Sequence, residues 1–142
     1  MLRKPSLPIS AILAMLLLGA CDNLIEPTPN VAGDYQATTF TGTSQTSTID
    51  ALAQGVTVQI TLLENGTTTG NVHIPAGVAG PDKPASDDSL VGTLTLRDGI
   101  VEFEHVGDTA IRDMKFKVRR NRLEGEETFG SGTKVRIVLQ KR

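Results

Sequence analysis

The chain has 142 residues, a formal net charge of −2, 39% hydrophobic residues and one cysteine. That length suits one small domain rather than two, and a single thiol excludes a disulfide within the chain. The acidic balance argues against nucleic acid as a partner, because phosphate-binding surfaces carry an excess of Lys and Arg.

The first 20 residues read as an export signal. Arg3 and Lys4 precede an apolar run from Ile9 to Leu18, broken only by Ser10. A bilayer core needs roughly 20 helical residues, so the run is too short to span it. It has the length and basic flank of a signal peptide's apolar region. Leu18-Gly19-Ala20-Cys21 follows, and this stretch resembles the lipobox of bacterial lipoproteins. The resemblance implies cleavage between Ala20 and Cys21, a diacylglycerol group on the Cys21 sulfur and acylation of the new N-terminus. Each buried methylene contributes about 0.8 kcal/mol, so two or more acyl chains make a stable anchor. The expected location is the bacterial cell envelope, lipid-anchored and facing the periplasm. Asp22 resembles an inner-membrane retention signal used in some bacteria, and the choice of membrane stays open. Residues 21–30, with Pro27 and Pro29, read as a lipidated Cys and a semi-stiff tether. The tether can hold a domain up to roughly 30 Å from the membrane.

Without Arg3 and Lys4 the chain carries 12 basic and 16 acidic groups. Residues 21–110 hold 2 basic and 12 acidic, and residues 111–142 hold 10 and 4. Opposite charges on neighbouring strands are expected to pair across a sheet. A basic face turned to phosphate headgroups is the other reading.

From Val31 onward, period-2 alternation predicts an all-β domain over residues 31–142. In "VTVQITL", Val56, Val58, Ile60 and Leu62 share one face. Eight strands are expected near 32–40, 55–63, 67–74, 90–97, 100–105, 111–119, 122–129 and 133–140. Asp98-Gly99 is a type I′ hairpin signal that would pair Leu96 with Val101. Arg120-Asn121 would pair Val118 with Leu123. Around Glu64-Asn65-Gly66, a two-residue loop would turn Val72 outward. A three-residue loop with Gly66 left-handed keeps Gly70, Val72 and Ile74 inside, and is expected for that reason. "GSG" at 130–132 would set Phe129 opposite Thr133. The topology is an up-and-down antiparallel meander, which loses its free edges by closing into a barrel. Its outer positions are polar (Thr57-Gln59-Thr61, Glu102-Glu104, Lys115-Lys117-Arg119), unlike the apolar band of a transmembrane barrel.

The opening "VAGDYQATTF" is similar to the start of lipocalin-like barrels, whose first strand begins Gly-x-Trp; Gly33-Asp34-Tyr35 sits at that place. The segments "GTTTGNVHIPAG", "TLTLRDGIVEFEH", "DTAIRDMKFKV" and "RLEGEETFGSGTKVRIVLQ" also resemble small bacterial lipoproteins of this build. The resemblance implies a small apolar ligand held inside the barrel. Tyr35, Phe103, Met114, Phe116 and Phe129 would line the pocket, and His105 would hydrogen-bond a polar end.

No Gly-x-Ser-x-Gly elbow, phosphate-binding glycine loop or histidine pair at metal-ligand spacing occurs. An enzyme, a cofactor and a bound metal are therefore not expected. His73 falls on the outer face by parity and His105 on the inner. Glu127 falls inward unless a bulge in "GEETF" turns it out. Gly70, Gly92 and Gly125 also face inward, where they bend strands or leave volume. The long loops 41–54 and 75–89 border one opening, where a lidded pocket would lie. In the first, Asp50 is positioned to cap a single helical turn ending at Gly55. A second reading stays open: an interaction lipoprotein with a filled core, docking through its basic C-terminal hairpins. Oligomeric state is left open.

Overall fold

The alternating segments pair as strands in a computed structural model that describes residues 30–142. The expected signal segment, Cys21 and the expected tether up to Pro29 lie outside the described residues. The strands are β1 (Gly33–Thr43), β2 (Thr48–Asp50), β3 (Thr57–Leu62), β4 (Thr67–Ile74) and β5 (Ser86–Ser89), then β6 (Gly92–Arg97), β7 (Ile100–His105), β8 (Lys115–Arg119), β9 (Arg122–Thr128) and β10 (Lys134–Lys141). All pairings are antiparallel. Neighbours run β1–β3–β4–β6–β7–β8–β9–β10, and β10 pairs with β1 from Lys141↔Tyr35 to Lys134↔Thr43. The result is a closed, eight-stranded up-and-down barrel, with β2 and β5 as short additions.

Turn chemistry sets the register. Asp98 and Gly99 both have positive φ, 53° and 71°, as a type I′ turn requires, and Leu96 pairs with Val101. After β3, Leu63 and Thr67 close a three-residue loop: Gly66 N–H donates to the Leu63 carbonyl at 3.0 Å and Gly66 has φ 81°. Leu62 therefore faces Thr68 and Val58 faces Val72, so Leu62 and Val72 are buried together. The "GSG" turn repeats the device, with Phe129 N–H on the Thr133 carbonyl at 3.0 Å.

β1 solves a spacing problem. Tyr35 and Ala37 face inward at period 2, but the next apolar residue, Phe40, is three positions on. A bulge between Ala37 and Thr39 takes up the extra residue, so that Ala37 faces Leu139 and Phe40 faces Ile137.

Three elements differ from the sequence expectation. The strand foreseen at 111–119 begins only at Lys115; residues 109–114 instead form turns, with Arg112 N–H on Thr109 O at 3.1 Å and Asp113 N–H on Ala110 O at 3.2 Å. Ile111 and Met114 explain it. Three residues apart, they cannot share a strand face, whereas a turn buries both to 1% exposure. Secondly, "SDDS" at 86–89 is strand rather than loop and pairs with Asn71–Ile74. Thirdly, loop 41–54 contains β2, which pairs with Thr41–Thr43. Beyond it, Asp50 Oδ1 accepts Ala53 N–H at 3.2 Å, and Gly55 closes the turn at φ 90°.

The interior is filled. Phe116, Val101, Leu123, Ile137 and Leu139 are fully buried at the centre. The inward glycines leave no volume here. A Cβ on Gly125 would lie 2.7 Å from the Phe116 ring, and one on Gly70 or Gly92 would strike the backbone of the next strand. The outer wall carries the foreseen cross-strand ion pairs, Lys115–Glu102 at 3.1 Å and Lys134–Glu126 at 2.9 Å, while Arg122 and Glu124 pair along β9 at 2.8 Å.

Candidate functional site

Strand direction assigns each hairpin turn and long loop to one end of the barrel. Asn30, the turns at 63–66, 98–99 and 120–121, and Arg142 share the near end. Loops 44–56, 75–85 and 106–114 share the far end, the mouth.

An apolar cavity of about 290 Å³ opens at this mouth. Phe40, Val72 and Ile74 form its strand wall, with Val56 beside them just ahead of β3. Ala51 from the first long loop, Val78 and Ala79 from the second, and Ala110 and Ile111 from the 106–114 segment close over it. Thr109, Asp88 and Asp108 are the polar members of the lining. The loops are ordered over it by backbone bonds, such as Gly77 N–H to Lys83 O at 2.9 Å and Ala51 N–H to Phe40 O at 2.8 Å. A larger groove of about 510 Å³ lies on the outer wall, but Lys115, Lys117, Arg119, Glu124, Glu126 and Arg136 line it, and these are the solvated charges of a sheet exterior. The mouth cavity has the character of a ligand site; the groove does not.

The residues proposed from sequence to line a pocket lie elsewhere. Tyr35 is 4% exposed towards the near end, and its hydroxyl donates to the Val31 carbonyl at 2.8 Å; burial raises its pKa above the usual phenol value. Phe103, Phe116 and His105 come together in the core. Phe103 meets Phe116 edge to face at 5.5 Å and stacks on His105 at 5.2 Å. Met114 packs with them under Phe116, and Phe129 is half-buried at the far rim. None of the six lines the mouth cavity.

His105 is 7% exposed, and neither ring nitrogen has a hydrogen-bond partner among the described residues. Burial, and secondarily the charge of Arg112, lower its pKa. His73 is half-exposed on the outer wall and is held by Asp87 at 2.9 Å. Glu127 keeps inward parity opposite Val135 without a bulge, yet is exposed because that row is the last before the rim.

Asp88 is the functional candidate that sequence reading missed. It sits in a strand without apolar alternation, so no periodicity marked the residue as inward. Pairing with Val72 and Ile74's strand is what turns it to the cavity. Among the described residues, no three His, Cys, Asp or Glu side chains gather as a metal site. Compared with protein-family models, curated proteins and solved structures, the chain matches none.

Proposed function

We propose that the protein is a lipid-anchored, non-enzymatic binding module of the bacterial cell envelope, whose barrel takes a small apolar ligand at its mouth. The observation that carries the ligand half is the apolar cavity of about 290 Å³ beneath both long loops. Its size is at the lower edge of small-molecule sites, which start at about 300 Å³. The anchoring half rests on "LGAC" after a short apolar run, together with a polar outer wall suited to water rather than lipid. Lipocalin-like barrels supply the analogy of a ligand entering at one open end, although here the occupant would sit above the filled core and not within it. Mass spectrometry on the protein from a bacterial membrane fraction tests the anchor: an acylated Cys21 as the first residue is expected, and an unmodified thiol on a soluble product refutes it. Identifying what co-purifies with the full chain from an envelope lipid extract tests the ligand.

A second reading has its own support. The packing of Phe103, Met114 and Phe116 to 3% exposure or less suits an interaction protein that needs no ligand. Absence of any co-purified small molecule favours that reading.

A further inference from the structure

We infer that the mouth cavity selects an amphiphile with a cationic head, and that Asp88 is the group that selects it; this rests on the cavity being a ligand site. Asp88 pairs with Val72 in the β4–β5 register, and directly paired residues point to the same side of a sheet. Val72 is 5% exposed and faces the interior, so Asp88 faces inward too, half-buried on the cavity wall. Its neighbour Asp87 points the other way and is engaged by His73 Nδ1 at 2.9 Å and Asn71 Nδ2 at 3.2 Å. Asp88 has no ion pair among the described residues. Asp108, the other charged residue of the lining, is 90% exposed and already paired with Arg112 at 2.5 Å. Among the described residues, Asp88 is thus an uncompensated charge on a mostly apolar wall.

The sheet does not require a carboxylate there, since β5 pairs through its backbone. A ligand that enters must cover Asp88 and remove part of its water. A neutral ligand leaves the carboxylate desolvated and unpaired, and an anion adds repulsion. A primary or secondary ammonium on an apolar body donates to the carboxylate while its body fills the cavity. The charge-assisted bond is strengthened by the apolar surroundings. The order of preference is therefore cation over neutral over anion.

The test uses n-octylammonium, n-octanol and n-octanoate with the full chain in zwitterionic lipid nanodiscs. Binding is read from the methyl NMR shifts of Val72, Ile74 and Val78, so that partition into lipid is not counted. The ammonium is expected to bind about tenfold to a hundredfold tighter than the alcohol, with the carboxylate weakest. Asp88→Asn should bring the two affinities together, weakening the ammonium and tightening the alcohol, with an unaltered melting temperature. Asp108→Asn should preserve the preference. Equal binding of ammonium and alcohol by the native chain overturns the selectivity while leaving the ligand site standing. Selectivity that survives Asp88→Asn overturns the role of Asp88. If none of the three probes shifts these methyls, the ligand site itself falls.

Discussion

His105 is the residue whose surroundings leave it least satisfied. A neutral imidazole still carries one N–H donor, and here neither ring nitrogen meets a partner among the described residues. Leaving such a group unpaired costs about 1–3 kcal/mol. Its pKa is lowered from the ordinary 6.5 by burial and then by Arg112. Above about pH 6.5 both folded and unfolded chains hold it neutral, and it adds no pH dependence. Below that, the unfolded chain takes up a proton that the folded chain refuses, so stability falls as pH falls until the lowered folded value is reached. Denaturation midpoints measured at about pH 7.5 and 5.5 should differ in the native chain. His105→Leu should shrink the difference and raise stability at both. Gly125 makes a second residue-scale prediction. The Phe116 ring occupies the space of a Cβ there and, being fully buried, has nowhere to move. Gly125→Ala should destabilise by about 1–3 kcal/mol, visible in a thermal melt.

At the scale of elements, the 109–114 turns do what a continued strand could not. β7 and β8 pair only from Ile100↔Lys117 to Glu102↔Lys115, so the upper part of β7 has no strand on that side. Ile111 and Met114 fill the gap. Ile111→Ala should cost about 2–5 kcal/mol in chemical denaturation. Because Ile111 also lines the mouth cavity, the same change should alter ligand binding, whereas an equally destabilising change at Leu123 should not. This element shows where the sequence was legible. Wherever one face is apolar at strict period 2 and the turn residues are Gly, Asn or Asp, register could be read to the residue, as at Leu62, Val72 and Leu96. Where apolar spacing was three it gave no register at Ala37–Phe40 and failed at Ile111–Met114, since a bulge and a turn are local remedies that alternation cannot announce. It failed again at "SDDS", where the strand rests on backbone pairing and on Asp87's polar contacts. The cavity's location under two loops followed from strand counting. Its lining did not, because the aromatic side chains that looked like a pocket are spent on filling the core.

For the whole molecule, the two ends of the barrel differ in charge. Arg97, Arg119, Arg120, Arg122, Lys141 and Arg142 outnumber Asp34, Glu64 and Asp98 at or beside the near end; Asp50, Asp82, Asp87, Asp88, Asp108 and Asp113 outnumber Lys83, Arg112, Lys115 and Lys134 at the mouth. The uneven charge along the sequence thus becomes partly a set of wall ion pairs and partly a polarity along the barrel axis. An anchored barrel should stand with its basic end on an anionic bilayer, attracted by about 1 kcal/mol per basic group near the surface. With fluorophores placed by Asn121→Cys or Ala79→Cys in the lipidated chain, bilayer quenchers should reach the first and not the second. Equal quenching of both would show that the barrel lies on its side. Strand β4 alone spans about 26 Å, so the two labels are well separated.

The seam between β1 and β10 has a further consequence. Arg142 N–H donates to the Asp34 carbonyl at 2.9 Å, so the last residue lies against the first strand close to Asn30. The barrel is a ring of hairpins in which the position of the opening is arbitrary. Joining Arg142 to Asn30 by a short linker and cutting at 80–82 should regenerate the same wall in a permuted order. Such a permutant would carry its free ends over the cavity rather than at the opposite end of the barrel, and a protein fused at either end would stand across the entrance.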